Sequence, residues 1–163
     1  MNWGKGHITR NKTIAYGGDV FQHARLLGVI CMGKSSSWGM IQKDSKFLFV
    51  ERSEGTSRSG QWCPPGGGCK EGESLEDACI REVKEETGLD VTVENLIHKN
   101  ESFNYFSCIL VSNNQEIVLK ANECSNYQWV SPESLLKLGM IMELKRMKKV
   151  FLNLGYSIVV PNE

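Results

Sequence analysis

The chain has 163 residues, of which 40% are hydrophobic and 23% are charged. That size and composition suit one globular domain with its own hydrophobic core. The 19 basic and 19 acidic residues cancel, so no net charge draws the chain toward nucleic acid or an anionic membrane. These properties argue against an electrostatic nucleic-acid-binding module and against a membrane partner, whereas a local site could still hold a small nucleotide.

The N-terminal region is polar and contains glycine, and residues 1–24 are predicted to form an irregular arm ahead of one domain over residues 25–163. Met1–Lys12 lacks the apolar segment of a signal peptide, and the apolar run Leu26–Met32 is too short to span a bilayer. The six cysteines form no Cys-x-x-Cys pair and have no histidine at zinc-finger spacing, which favours reduced thiols. We therefore expect a cytoplasmic protein.

Two apolar segments at the start of the predicted domain have the character of buried strands, Leu26–Met32 and Phe47–Val50. The Ser-rich segment Gly33–Trp38 between them is predicted to be a loop, and Lys43–Ser45 suits a turn. Residues 53–61 are polar and contain two glycines, which predicts a flexible connection. The prolines and glycines that follow predict a stiff, turning segment.

A helix is predicted over Ser74–Thr87, because Ser74 can cap its N-terminus and Gly88 can provide its left-handed stop. A second helix is predicted over residues 131–154, with a break at Gly139. Further strands are predicted at Val91–Val93, Tyr105–Val111, Glu116–Leu119 and Tyr127–Val130. Strands and helices mix without regular alternation, which favours an α/β sandwich or an α+β domain.

The first predicted helix carries a cluster of acids on the side that faces the protein. At roughly 100° per residue, Cys79 and Val83 belong to an apolar stripe, and Glu82, Glu85 and Glu86 lie on that stripe or at its edge. Such like charges repel one another, and turning them inward adds a desolvation cost. Hard divalent cations with oxygen ligands offset that cost. The acids therefore predict a metal site, and the alternative is a solvated acidic face.

A run of glycines, Gly66–Gly68, precedes this helix and would let a ligand or metal approach the main chain. From the second glycine the chain reads Gly67-x5-Glu73-x7-Arg81-Glu82-Val83-x-Glu85-Glu86-x-Gly88-Leu89. This pattern resembles the Nudix box of the Nudix hydrolase superfamily at all nine specified positions. Many members carry Glu where Lys70 stands, a departure that concerns substrate preference more than the assignment.

The resemblance implies an α/β/α sandwich with a central mixed β-sheet. It also implies Mg²⁺- or Mn²⁺-dependent hydrolysis of the diphosphate linkage in a nucleoside diphosphate derivative, most of all a nucleoside triphosphate or a dinucleoside polyphosphate. By the same resemblance, Glu82, Glu85 and Glu86 would be metal ligands on the box helix, and Gly66 would offer its carbonyl to a metal. A metal-bound water is easier to deprotonate, and the metal neutralises charge that develops on the phosphoryl oxygens.

Other positions of the box have structural roles by this resemblance. Arg81 would pair with a box glutamate and hold it in place, with Glu73 as one candidate partner. Gly67 and Gly88 would complete the structural part of the box at its two ends. Arg81 is therefore included with the predicted catalytic group, whereas the other three positions are predicted to support it.

A fourth acid from outside the box often completes the metal site in this superfamily. Glu123 stands six residues before Trp129, which resembles the late-loop glutamate of members that cleave nucleoside triphosphates. It would ligate metal or position the attacking water, and the alternative is an acid on the surface of a loop. Glu101 is the competing candidate for this position.

Residues that bind the substrate are suggested by weaker patterns. Tyr105 lies sixteen residues past Leu89, where a Tyr marks dinucleoside-polyphosphate hydrolases, although a strand Tyr is more often part of the core. Arg52 belongs to a fragment of the coenzyme A-cleaving motif, whose remainder is missing. Trp62, next to the box, is the preferred platform for stacking a base. No proline stands where it would indicate ADP-ribose cleavage.

The sequence therefore predicts a Nudix hydrolase whose partner is a small-molecule nucleotide, with Mg²⁺ or Mn²⁺ as cofactor. Two alternatives remain: a catalytically silent Nudix-fold module that senses a nucleotide, and a scaffold whose acidic helix is an interaction surface. Silent members usually lose a catalytic acid, and none is lost here. No nucleic-acid partner is expected, and the oligomeric state is open, with a homodimer included.

Overall fold

The computed structural model describes residues 29–31 and 34–159 of the protein, so the predicted arm over residues 1–24 lies outside the described residues. Seven strands are present in this part of the chain: β1 Ser36–Lys43, β2 Lys46–Arg52, β3 Trp62–Cys63, β4 Gly66–Gly68, β5 Val91–Lys99, β6 Phe103–Leu110 and β7 Cys124–Val130. The helices are α1 Leu75–Thr87, a 3₁₀ helix Pro132–Leu138 and α2 Leu144–Asn153.

The strands form a mixed sheet with the order β3-β2-β1-β6-β5. The central strand β1 pairs in parallel with β6 and antiparallel with β4, and its C-terminal end forms a hairpin with β2. β2 also pairs antiparallel with β3 and β7. The hairpin turns at Asp44 and Ser45, whose φ angles of 49° and 60° are typical of a type I′ turn. The predicted turn at Lys43–Ser45 is thereby confirmed.

The two faces of the sheet bury separate hydrophobic clusters, because successive side chains of a strand point to opposite faces. One cluster joins α1 to the sheet through Cys79, Val83, Ile41 and Leu48. The other joins α2 to the sheet through Met147, Phe151, Phe47 and Phe49. A sheet enclosed between helices on both faces is an α/β/α sandwich, so the predicted fold class is confirmed.

α1 has the bounds that its end signals predict. The Ser74 hydroxyl accepts a hydrogen bond from the backbone N–H three residues later, and the helix stops at Gly88 with φ of 74°. A Cβ built on Gly39 of β1 would lie 2.8 Å from Val83 Cγ2, so the missing side chain lets α1 approach the sheet closely. The predicted helix Ser74–Thr87 is confirmed, and its glutamates project from a fixed position over β1.

Two predicted elements near the start of the domain differ from the structure. The predicted loop Gly33–Trp38 is wrong from Ser36 onward, because β1 begins there and its backbone pairs with strands on both sides. The predicted strand Leu26–Met32 lies largely outside the described residues. In its described part, Ile30 forms an isolated bridge with Ser74 instead of a ladder.

The connection between β6 and β7 also differs, because the predicted strand Glu116–Leu119 is wrong. Val118 N donates to Thr87 O at 2.9 Å, and Lys120 N donates to Glu86 O at 3.0 Å. The last carbonyls of a helix lack partners within the helix. The alternate residues of this segment therefore pair with the end of α1 and not with another strand.

The predicted second helix is divided where the break at Gly139 is predicted. The 3₁₀ helix ends before Gly139, whose φ is 113°, and α2 starts only at Leu144. The predicted turning segment ahead of α1 contains the short strands β3 and β4. Among the described residues, no helix has the length and apolar character needed to cross a bilayer.

Candidate functional site

The glycine run lies in the sheet, against α1. Gly66–Gly68 pairs antiparallel with Ser36–Trp38 of β1. A Cβ built on Gly66 would lie 2.4 Å from Ser37 O and 2.6 Å from Trp38 Cα, so a larger residue could not approach β1 in this way. β4 is thus a fixed strand, and it forms one side of the site that α1 faces.

Three carboxylates converge beside β4. One oxygen each of Glu82, Glu86 and Glu123 lies within 4.8 Å of the other two. The first two residues share a face of α1 because they are four positions apart, whereas Glu123 approaches from the turn ahead of β7. The competing residue Glu101 is exposed in the turn between β5 and β6 and is outside this group. The geometry therefore favours Glu123 as the fourth acid, and its role stays a prediction.

Glu86 is the most enclosed of these acids, with 4% of its surface exposed. Its Oε2 accepts a hydrogen bond of 2.9 Å from the backbone N–H of Gly66. Burial raises the pKa of Glu86 to about 8, and the negative charge of Glu82 adds to the rise, while the Gly66 N–H opposes it. Protein groups alone therefore compensate the negative charge of this carboxylate poorly. The carbonyl of Gly66, predicted to meet a metal, lies one peptide unit from this contact.

Glu82 occupies space that exists only because residue 67 is glycine. A Cβ built on Gly67 would lie 2.6 Å from Glu82 Oε2 and 2.7 Å from its Cδ. Gly67 is absent from the described residues with positive φ, so the requirement is steric and not conformational. The glycine thus fixes how closely the Glu82 carboxylate can lie against β4.

Arg81 holds the acids in place through five hydrogen bonds. Nε and Nη2 donate to the two carboxylate oxygens of Glu73 at 2.7 and 3.0 Å, and Nη2 also donates to Gly68 O at 2.8 Å. Nη1 donates to Glu82 at 2.7 Å and to Glu85 at 3.3 Å. The hydrogen bonds from Arg81 hold the pKa of Glu73 below its usual range. All five N–H groups are engaged, so Arg81 positions other residues and has no donor left for a substrate.

Glu85 departs from the prediction that all three box acids face the protein. Its side chain is 39% exposed, compared with 13% for Glu82. Its position at the edge of the apolar stripe places it at the rim, where Lys70 Nζ lies 3.8 Å away and Lys120 Nζ lies 4.0 Å away. The prediction of an inward direction is wrong for Glu85, which lies outside the convergent group of three carboxylates. Its role as a metal ligand stays a prediction.

Two residues predicted to bind the substrate are buried in the core. Trp62 is 6% exposed, and its backbone N–H donates to Met140 O, so β3 is held within the fold. Tyr105 is 0% exposed, and its ring stacks on Trp38 with a centroid distance of 6.4 Å. Neither ring offers a face to a base in this structure, and both predictions are wrong. The strand alternation that buries them could not be fixed without knowing which face α2 covers.

Arg52, the third predicted substrate residue, does lie at the site. Its Nε donates to Ser57 O at 2.7 Å, and its positive charge lowers the pKa of Glu86, against the effect of burial. The side chain is partly exposed. Its proximity to Glu86 agrees with a contact to substrate, which stays a prediction.

Lys120 is a member of the site that sequence reasoning missed. Its Nζ lies 2.6 Å from Glu123 Oε1, and this hydrogen bond raises the pKa of the ammonium. The i,i+3 spacing between Lys120 and Glu123 is the signal that could have identified it. The predicted strand over the preceding residues concealed it, because a strand would have carried the side chain elsewhere.

The convergent group fits a hard divalent cation. Glu82, Glu86 and Glu123 all offer oxygen, which is the donor that Mg²⁺ and Mn²⁺ prefer. The raised pKa of Glu86 indicates a carboxylate that lacks full compensation by protein groups. Gly67 leaves open the space for the Glu82 carboxylate. These residues could therefore hold a cation between α1 and the turn ahead of β7.

Comparisons with known proteins agree with this geometry. The chain is 42% identical over 59 residues to an ADP-ribose pyrophosphatase of Methanocaldococcus jannaschii, a match that covers 36% of this chain and 34% of that protein. It is 31% identical over 116 residues to the nucleoside triphosphatase NudI of Salmonella agona, over 59% of this chain and 80% of that one. The chain thus spans about a third of the length of the archaeal relative and most of the bacterial one.

A solved structure with the same fold is an ADP-ribose pyrophosphatase of Streptococcus suis. It has 26% sequence identity and a TM-score of 0.59, and the match covers 75% of this chain and 90% of that one. The family model of the NUDIX domain matches residues 34–151, which include the glycine strand, α1 and Glu123. Because that match takes in most of the chain, the protein belongs to the Nudix superfamily.

Proposed function

We propose that this protein is a Mg²⁺- or Mn²⁺-dependent pyrophosphohydrolase that cleaves the diphosphate linkage of a nucleoside diphosphate derivative. The observation that carries the proposal is the convergence of Glu82, Glu86 and Glu123 within 4.8 Å of one another. Two of these acids come from the box helix, and one comes from an opposite segment. Such a group presents oxygen ligands from two sides, as a cation that also binds phosphate requires.

Each residue of the site has a distinct task in this reaction. Glu82, Glu86 and Glu123 would hold the cation, and the Gly66 N–H fixes one oxygen of Glu86 so that the other remains free. Arg81 keeps Glu82 in its orientation through the 2.7 Å contact from Nη1. The bound cation would make an attacking water easier to deprotonate and would neutralise charge on the phosphoryl oxygens. The oxygen of water would then bond to one phosphorus of the linkage, and the bond from that phosphorus to the bridging oxygen would break. The bridging oxygen leaves with the other phosphate, and the proton of the water passes to solvent.

We propose nucleoside triphosphates or dinucleoside polyphosphates as the substrate class. The similarity to a nucleoside triphosphatase over 80% of that protein's length supports the first of these. Relatives named ADP-ribose pyrophosphatase make ADP-ribose the competing substrate, although the match to the archaeal one covers only 34% of it. Arg52, whose positive charge lowers the pKa of Glu86 against the effect of burial, is the residue we assign to contact the phosphate chain.

A substrate screen tests the proposal. The protein is incubated with Mg²⁺ or Mn²⁺ and with canonical and oxidised nucleoside triphosphates, dinucleoside polyphosphates, ADP-ribose, sugar nucleotides or coenzyme A. We expect hydrolysis of a triphosphate or a dinucleoside polyphosphate, with products that account for cleavage within the phosphate chain. Binding of nucleotide and metal without turnover would contradict the proposal and favour the sensing module.

Removal of one acid connects the activity to this site. Glu86→Gln keeps the shape of the side chain but removes its charge, so kcat should fall about 100-fold or more, as expected for loss of an electrostatic contact with the transition state. The matched control is Glu76→Gln, on the same helix but outside the convergent group, which should retain turnover. Equal turnover in the two variants would place the chemistry elsewhere.

A further inference from the structure

Among the described residues, Lys120 is the cation that lies closest to the acid group while keeping donors free. Its ammonium carries three N–H groups. One contact is short, 2.6 Å to Glu123 Oε1, and a second approach is long, 4.0 Å to Glu85 Oε2. The side chain is 39% exposed, so its end can reach a ligand that enters from solvent.

The two arginines of the site have fewer donors free for a ligand than Lys120 has, and Lys70 contacts Glu85, which is outside the convergent group. Arg81 is 19% exposed and spends its five N–H groups on Glu73, Glu82, Glu85 and Gly68. Arg52 is anchored by Nε to a backbone carbonyl. Lys120 differs from both, because its flexible stem can move the charge by several ångströms without loss of a buried contact.

The backbone fixes the position from which Lys120 acts. Its N–H donates to Glu86 O at 3.0 Å, and its carbonyl accepts from Glu123 N at 2.8 Å. The residue is thus tied to the helix that carries two of the acids and to the third acid itself. These bonds hold the Cα of Lys120 at the site, whereas its side chain can move between Glu123 and a ligand.

We infer that Lys120 is a substrate-binding residue. It pairs with Glu123 in the metal-free protein, and its ammonium group moves to contact a phosphate oxygen when Glu123 ligates a cation. This inference rests on the proposed function. The ammonium and the cation compete for one carboxylate, so Lys120 weakens cation binding in the absence of substrate. Once that carboxylate is engaged, the free ammonium favours an anion, and the diphosphate supplies one.

Loss of the Lys120 charge should affect the binding of the cation and the binding of the diphosphonate in opposite directions, and a single variant can show both effects. In Lys120→Met the full chain should bind Mn²⁺ alone about two- to fivefold more tightly, because a competing exposed ion pair is removed. The same variant, saturated with Mn²⁺, should bind methylenediphosphonate about tenfold more weakly, because a charge-assisted contact is lost. Isothermal titration calorimetry measures both constants without turnover. Lys120→Arg should restore most of the affinity for the diphosphonate.

The matched control is Lys84→Met, which removes an exposed ion pair of the same kind, 2.9 Å long, between α1 and Asp90. It should change neither constant. The inference is overturned if Lys120→Met equals this control in either constant, or if both constants weaken, which would mark Lys120 as structural. If the wild-type protein hydrolyses nucleotides and Lys120→Met behaves like the control, this inference alone is overturned. If the wild-type protein has no hydrolytic activity, the proposed function is overturned, and the calorimetry still tests whether Lys120 contacts the diphosphonate.

Discussion

Gly67 controls the site at the scale of a single residue, because its missing side chain is the space that the Glu82 carboxylate fills. In Gly67→Ala the new Cβ would lie 2.6 Å from Glu82 Oε2, so the carboxylate must move. We expect the affinity for Mn²⁺ to fall about tenfold or more, as when support for a metal ligand is removed. Calorimetry with Mn²⁺ alone measures the change.

Gly68→Ala is the control for this substitution, because a Cβ at that position meets no atom within 4 Å. It should bind Mn²⁺ as the wild type does and should unfold at a similar temperature. A Gly67→Ala protein that keeps wild-type affinity would mean that Glu82 does not ligate the cation from its present position.

Single residues of the site were predictable to different degrees. Glu82 and Glu86 follow from the helical period, because it is local and the apolar stripe marks the buried side. Arg81 contacts four residues; Glu73 was a candidate partner, whereas the Gly68 carbonyl could not be predicted, because it belongs to a strand that the sequence does not reveal. Trp62 and Tyr105 were misjudged for a related reason: an aromatic residue in a strand is compatible with either face until the covering layer is known.

At the scale of elements, the segment between β6 and β7 carries the part of the site that the helix cannot provide. Glu123 reaches the other two acids because this segment is tied to the end of α1. Glu123→Ala should lower kcat several-fold or more, while the unfolding temperature of the metal-free protein changes little, because an exposed ion pair with Lys120 contributes about 1 kcal/mol or less.

Glu101→Ala tests the same kind of change in the other candidate segment, the turn between β5 and β6. Steady-state kinetics and thermal unfolding of the two variants are compared side by side. A larger loss of kcat in Glu101→Ala than in Glu123→Ala would show that the fourth acid comes from the earlier turn.

The same segment explains why one element was predicted wrongly. The apolar residues Ile117, Val118 and Leu119 favour an extended chain. Val118 and Lys120, two positions apart, donate their backbone N–H groups to the end of α1. Such a composition indicates the conformation of a segment but does not identify the element it pairs with. α1 and its caps were predictable because their hydrogen bonds are local, whereas β4 and the parallel pairing of β1 with β6 depend on residues far apart in the chain.

At the scale of the whole molecule, the burial of Glu86 links stability to pH. The folded pKa is about 8 and the reference value is 4.5, so between these values the folded state holds more protons than the unfolded state. The free energy of unfolding of the metal-free protein should therefore fall as pH rises through this window, by up to about 1.4 kcal/mol per pH unit from this group. Denaturant unfolding at a series of pH values measures the slope.

Glu86→Gln should flatten this slope, because the substituted side chain does not titrate. The lowered pKa of Glu73 acts in the opposite sense, adding stability above its unfolded value, and it is common to both proteins and cancels in the comparison. Mg²⁺ should restore stability to the wild type at pH 8 more than to the variant. Parallel slopes in the two proteins would mean that Glu86 is not held in a poorly compensated state.

The pairing of Gly66–Gly68 with β1 also determines the stage at which these glycines lose their backbone conformational entropy. Glycine loses more backbone freedom on ordering than any other residue. Here the sheet imposes that loss during folding, so an arriving ligand has no loop to immobilise at this edge of the site. The glycine amides should consequently exchange their hydrogens with solvent only when the strand opens, and the association rate should carry no contribution from ordering this part of the chain.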